Sequence, residues 1–261
     1  DLQVKGLFPA VETALTFAAE KAELSWKGVG VKSAKAAFSA SGKGSDFHMQ
    51  HLSLQIPQAE FTVGGRRIQV SDINAEAQTG TIRFDPTGLS FPRIDIHTSL
   101  MKNLRLSVDA HDDQASFGLE GKEVRVFHLA QGLNLIPPGW QLEGRDSLLV
   151  KGTLKEDGHW LVQSKWNLDP FAFQSPDSKH AGERISLGLD ITVAGGPGST
   201  AWAASVEGSA GKGGFLYDRI YLDLHKNSLH FQLQGDYDLS KSIADIAGFK
   251  FVVKDLLSLE A

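Results

Sequence analysis

In the segment ISLGLDITV, residues 185–193, every second residue is apolar: Ile185, Leu187, Leu189, Ile191 and Val193 alternate with Ser186, Gly188, Asp190 and Thr192. Successive side chains of a β-strand point to opposite faces, so such a segment is apolar on one side and wet on the other. Most of the chain repeats this period. FTVGGRRIQV reads as a hairpin, with Phe61 and Val63 on one arm, Ile68 and Val70 on the other, and Gly64-Gly65 as the turn. TIRFDPTGLSF does the same with Ile82 and Phe84, a turn at Asp85 to Gly88, then Leu89 and Phe91. Leu104, Leu106 and Val108 lead through AHDDQA to Phe117 and Leu119. Leu148, Val150 and Leu154 stand against Trp160, Val162 and Trp166, and Ile220, Leu222 and Leu224 against Leu229, Phe231 and Leu233. About a dozen strands are expected, and the short turns between them favour one meandering sheet that curls on itself over a Greek key.

Three segments read otherwise. In LFPAVETALTFAAEKAEL, Phe8, Val11, Leu15, Ala18 and Ala22 recur at three and four and Pro9 suits a first helical turn, which predicts a helix over about 9–22. VFHLAQGLNLIPPGW, 126–140, predicts a helical turn or short helix ended by Pro137-Pro138. DLSKSIADIAGF, 238–249, predicts a short helix capped by Ser240, carrying Ile243, Ile246 and Ala247 and ended by Gly248. The expected layout is a helical segment at 1–23 followed by a β domain over 24–261, as a piece of something longer. GGPGST, 195–200, is the expected flexible loop.

Composition removes several function classes. The 261 residues carry a net charge of -5 with scattered lysines and arginines, so no basic stripe meets a phosphate backbone and nucleic acid is not an expected partner. With no cysteine there are no disulfides, zinc-thiolate sites or thiol nucleophiles. No apolar run reaches the length of a membrane span. SAGKGG (209–214) and GGPGST have the glycines of a phosphate loop but not its GxxxxGK[ST] spacing, and no GxSxG elbow occurs. Asp109, His111, Asp112 and Asp113 have cation-binding chemistry but lie where a hairpin must reverse, and aspartate is a turn residue. His48 and His51, three apart, fall on opposite faces of a regular strand. Asp236 and Asp238 suit the start of the expected helix near 240. The expectation is therefore no enzyme, no cofactor and no metal.

The unbroken succession of amphipathic strands, stretches such as LLVKGTLKEDGHWLVQSKWNLDPF, ISLGLDITVAGG and LHFQLQGDYDLS, and the proline-marked LAQGLNLIPPGWQLEG resemble the AsmA-like proteins of Gram-negative bacteria over roughly residues 24–240. The resemblance implies a mainly β fold in which a long antiparallel sheet curls into an open groove with an apolar interior, similar to bridge-like lipid-transfer proteins. It also implies a place in the periplasm and outer-membrane biogenesis, tethering to the inner membrane by a segment absent from this chain, and inner- and outer-membrane proteins as further partners. The expected cargo is phospholipid or another acyl lipid. The groove-lining set is Ile185, Leu187, Leu189, Ile191, Val193, Leu222, Leu224, Leu229, Phe231, Leu233, Leu104, Leu106, Val108, Trp160 and Val162. Each buried methylene contributes about 0.8 kcal/mol, so an acyl chain is held without a directional contact. The competing reading is a structural or adhesive β-sandwich that binds a protein or glycan through its loops, in which two sheets cover each other and an exposed pair such as Trp140 and Trp160 stacks on sugars.

Overall fold

A computed structural model describes residues 2–5, 12–26, 29–63, 66–84, 87–99, 101, 103–123, 136–198, 201–238 and 243–261. The fold is mainly β. The described residues form eighteen strands and no helix, and hence no helix long and apolar enough to cross a membrane. By backbone contacts the chain divides into two compact units, Asp1–Val124 and Arg125–Ala261.

The first unit is an antiparallel meander of β1 (Leu2–Lys5), β2 (Glu12–Trp26), β3 (Val29–Lys43), β4 (Asp46–Val63), β5 (Arg66–Ala77), β6 (Gly80–Phe84), β7 (Thr87–His97), β8 (Leu104–His111) and β9 (Gln114–Lys122). Strands β5 and β6 are consecutive pieces of one run along β4, broken at residues 78 and 79. The second unit repeats the scheme with β10 (Gln141–Lys155), β11 (Trp160–Gln174), β12 (His180–Gly195), β13 (Ala201–Gly211), β14 (Gly214–Tyr217), β15 (Ile220–Asp223), β16 (Leu229–Asp238), β17 (Ile243–Val253) and β18 (Leu257–Glu260). Here β13 and β14 together run along β12, and β15 and β16 return beside them.

The expected helix over 9–22 is corrected wherever the structure describes it. Residues 12–22 lie in β2, and residues 9–11 are outside the described residues. Leu15, Phe17 and Ala19 also alternate, so the segment carries both periods. The ladder to β3, which pairs Phe17 with Phe38 and Ala19 with Ala36, decides for the strand. The helix expected at 238–249 is replaced from residue 243 onward by β17, which pairs with β16 along its length; the cap at Ser240 is outside the described residues. Of 126–140 only 136–140 are described, and they form a turn at Pro138-Gly139. The expected pairing of Ile220, Leu222 and Leu224 against β16 is also wrong. β15 pairs with β14, Phe215 opposite Leu222 and Tyr217 opposite Ile220, and Leu224 sits in the following turn.

Both units are creased along a line that crosses neighbouring strands. In the second unit the register shifts at Gly144/Asp146 on β10 and at Leu168/Phe171 on β11, where Pro170 has no N–H to give to the ladder. Next to these on β12 is Arg184, and beside it Lys212 and Gly213 between β13 and β14, with φ of 54°, 56° and 71°. SAGKGG is thus this crease. In the first unit Lys21, Ser33 and Asp72 have φ of 59°, 56° and 54° on β2, β3 and β5, and Pro57 of β4 lies opposite Asp72. Interruptions of this kind bend and twist a sheet where they occur.

Candidate functional site: one-sided apolar sheets

Residues opposite each other in an antiparallel ladder share a face, so the register builds the two surfaces of each unit. In the second unit one row runs Leu148, Trp166, Leu189, Gly208, Phe231, Phe251, Leu259, and the next Val150, Ser164, Ile191, Val206, Leu233, Phe249. On the other face run Ser147, Asn167, Gly188, Ser209, His230, Val252, Ser258 and Leu149, Lys165, Asp190, Glu207, Gln232, Lys250, Glu260. Apolar and polar residues are sorted almost completely across seven strands. The exceptions on the apolar face are partnered: the hydroxyl of Ser164 accepts from the Trp166 indole N–H, and Asp146 is buried but not without a partner.

The polar face is tied across strands by exposed ion pairs, Lys165 to Asp190 at 3.2 Å and Lys250 to Glu260 at 3.8 Å. On the outside of the crease Asp169 accepts from Ser186 at 3.0 Å and from Lys212 at 3.2 Å. The Lys212 ammonium, then the Ser186 hydroxyl, hold this carboxyl below the usual aspartate range.

On the apolar face the central side chains, Trp166, Leu189, Ile191, Val193, Val206, Phe231 and Leu233, are only half-buried. In a sheet-on-sheet core such positions are covered by a second layer. Full burial occurs at the crease, where Leu168, Phe171, Ile185 and Leu224 form a cluster. Leu142, Phe173, Phe215 and Leu222 from one side of the crease and Leu187, Ala210 and Leu229 from the other pack against it. Residues from both sides of the crease thus meet on the apolar face. Glycines let large side chains lie flat on that face: a Cβ at Gly208 would come within 2.2 Å of the Phe231 ring, and one at Gly182 within 2.3 Å of Phe173.

The first unit has the same sorting. Ala36, Leu54, Ala75, Ile96, Leu104 and Gly121 form one apolar row and Gly42, Phe47, Ile82, Leu89, Ala110 and Ala115 another; Ser41, His48, Thr81, Ser90, Asp109 and Ser116 lie on the opposite face.

The residues expected to line a groove therefore fall on two apolar faces, one per unit. Ile185, Leu187, Leu189, Ile191, Val193, Leu229, Phe231, Leu233, Trp160 and Val162 share the second unit's face, where Leu222 joins them opposite Phe215. Leu224 is in a turn, buried in the crease cluster rather than on a strand. Leu104, Leu106 and Val108 lie on the first unit's face, opposite Ile96, Ile94 and Phe91. Missing from that set were Trp166, Leu168, Phe171, Phe173, Val206 and Phe251. Their period of two is visible in the sequence, and in β11 it slips by one at Asp169-Pro170, where the bulge lies.

His48 and His51 need a correction. A register shift between Ser39 and Ala40 sets them opposite Ser41 and Ser39, so both lie on the polar face rather than on opposite faces. Asp112 and Asp113 form the two-residue turn between β8 and β9, with His111 3.0 Å from Asp109. Asp236 and Asp238 are strand residues of β16, not helix caps. Among the described residues no group of three or more histidines and carboxylates is placed to hold a metal ion. No protein-family model, curated protein or solved structure matches the chain.

Proposed function

We propose that this chain binds acyl lipids along its apolar sheet faces and shields them in transfer between membranes. The observation that carries the reading is the second unit's apolar face. It is continuous over seven strands, half-buried rather than covered, and crossed by the crease with its buried cluster. Seven strands at about 4.8 Å spacing give a face about 29 Å wide, against about 15 Å for an extended acyl chain, half a bilayer core. Curling about the crease line makes such a face an open groove. The half-buried residues of the lining set on that face, with Trp166, Val206 and Phe251 added, are the proposed contact surface; Ile185 and Leu224 are buried in the crease cluster. Headgroups remain in water at the groove's mouth, which needs no dedicated motif. The resemblance to AsmA-like proteins adds the setting: the periplasm of a Gram-negative envelope, with tethering to the inner membrane and protein partners at either membrane.

The test is native mass spectrometry of gently purified protein together with uptake of a fluorescent acyl probe. Co-purified phospholipid-like masses and probe uptake are expected. Protein that arrives empty, and leaves the probe in water under conditions where a known lipid carrier loads, overturns the reading in favour of a structural or adhesive β protein.

A further inference from the structure

The β14–β15 hairpin departs from the one-sided rule. One of its faces carries Phe215, Tyr217, Ile220 and Leu222, and the other carries Leu216 and Tyr221. Both faces are apolar, and the tip is in water: Tyr217, Ile220 and Tyr221 are 57 %, 69 % and 64 % exposed. A two-residue turn, Asp218-Arg219, closes the tip, with Asp218 at a φ of 53°.

The tip is a braced structure. Asp218 N donates to Lys179 O at 2.6 Å, joining it to the β11–β12 turn. The Tyr217 ring lies 4.6 Å from His180, which stacks on Trp140 at 6.1 Å; Trp140 stacks in turn on Phe173, and Phe173 meets Phe215 at 5.8 Å. Phe173 and Phe215 pack on the crease cluster, so ring contacts run without a gap from the apolar face to the exposed tip.

We propose that this hairpin is a wedge that seats the second unit's end in the interfacial layer of a lipid bilayer. The inference rests on the lipid-binding reading and names the surface at which lipid is exchanged. Three features select a bilayer. Tyrosine has an apolar ring and a polar hydroxyl, which suits it to the boundary between headgroups and hydrocarbon. Ile220 at the apex has nothing polar to offer and reaches furthest from cover. Lys179 and Arg219 are exposed and make no close ion pair among the described residues, which sets two cations at the tip where lipid phosphates would lie. Two acids stand beside them: Asp218, exposed in the same turn as Arg219, and Asp177, which feels the Lys179 charge and accepts from Ser175 Oγ at 2.7 Å and Lys179 N at 3.2 Å.

The chain has no cysteine, so Ile220→Cys gives a single labelling site for an environment-sensitive dye, with Asp190→Cys on the polar face as its control. Added to phosphatidylcholine vesicles containing phosphatidylglycerol, the full chain should co-float with the vesicles. The dye at 220 should shift to the blue and the dye at 190 should not. Tyr217→Ser, Ile220→Ser and Tyr221→Ser combined should weaken vesicle partitioning at least tenfold while uptake of a soluble acyl probe stays unchanged. Ile220→Glu alone serves if the triple variant does not fold. Vesicle affinity unmoved by these changes, a dye at 220 that stays in water, or a tip that engages another protein but no vesicle overturns the proposal. Failure of probe uptake by the unaltered chain overturns the lipid-binding reading instead, and is separately visible.

Discussion

Replacing Leu189 and Ile185 by asparagine, one at a time, separates an open apolar face from a closed core. Both residues are on β12, four apart, on the same face, and both meet aromatic side chains: Trp166 opposite Leu189, Phe171 opposite Ile185. They differ in cover. Ile185 is 4 % exposed within the crease cluster, whereas Leu189 is half-buried. At Ile185 an amide replaces packed hydrocarbon and finds no partner, which should cost about 3 to 5 kcal/mol. At Leu189 about half of the roughly 2 to 3 kcal/mol of a fully buried leucine is at stake. The amide there can turn to water, so about 1 to 1.5 kcal/mol is expected. Urea melts of delipidated protein read the difference as a much larger fall in midpoint for Ile185→Asn than for Leu189→Asn. Acyl-probe loading should fall for Leu189→Asn although it stays folded. Equal destabilisation by the two changes, or full loading by Leu189→Asn, would refute the reasoning.

Three smaller tests follow from other features of the fold. Gly208→Ala puts a Cβ into the Phe231 ring, but on an uncovered face the ring can swing out, so under about 1 kcal/mol is expected where a closed core would lose about 1 to 3; a urea melt decides. Asp72→Val forces a β-branched residue into a φ of 54° and should cost about 1 to 2 kcal/mol in the same melt, while Asp72→Gly should cost little. The Asp169 carboxyl titrates lower folded than unfolded, so what it adds to stability is complete at neutral pH and is lost as pH falls through its folded value, below the ordinary aspartate range. Asp169→Asn should make the stability profile less steep there in acid melts, by a small amount because the group is exposed.

How much of this was legible in the sequence varied with the residues that carried the pattern. Large alternating residues, as in 185–193 or 229–234, leave no doubt about which face is apolar, and the hairpin arms that carry Ile82 and Leu89, or Val108 and Phe117, do pair with each other. Alanine blurs the signal. In β3, Ala34, Ala36 and Ala40 alternate with Lys35, Ala37 and Ser39, and in β2 the run Ala18-Ala19 suits a helix as readily as a strand. The crease was hidden for another reason. Arg184, Lys212 and Ser33 are ordinary residues in left-handed conformations, a cost of order 1 to 3 kcal/mol each that neighbouring strands impose and local sequence does not announce. A bulge then inverts the parity of everything beyond it, as with His48 and His51, or with Leu168 and Phe171.

The crease also bears on why one face of the second unit can stay uncovered. A flat sheet with one apolar side invites a second sheet and becomes a sandwich. Here Pro170, Arg184 and Gly213 turn the strands where Leu168, Phe171, Ile185 and Leu224 can close on one another. The sheet thus gains a small fully buried core at one line, and the rows from Leu187 to Val193 keep only their own neighbours for cover. Stability then comes from the ladder and the crease cluster, while the open rows remain free to exchange water for hydrocarbon. A ligand that binds only the folded sheet adds RT ln(1 + [L]/Kd) to its stability. Acyl chains on those rows would take up the burial that a sandwich obtains from its second layer, and a protein built this way would be more stable loaded than empty.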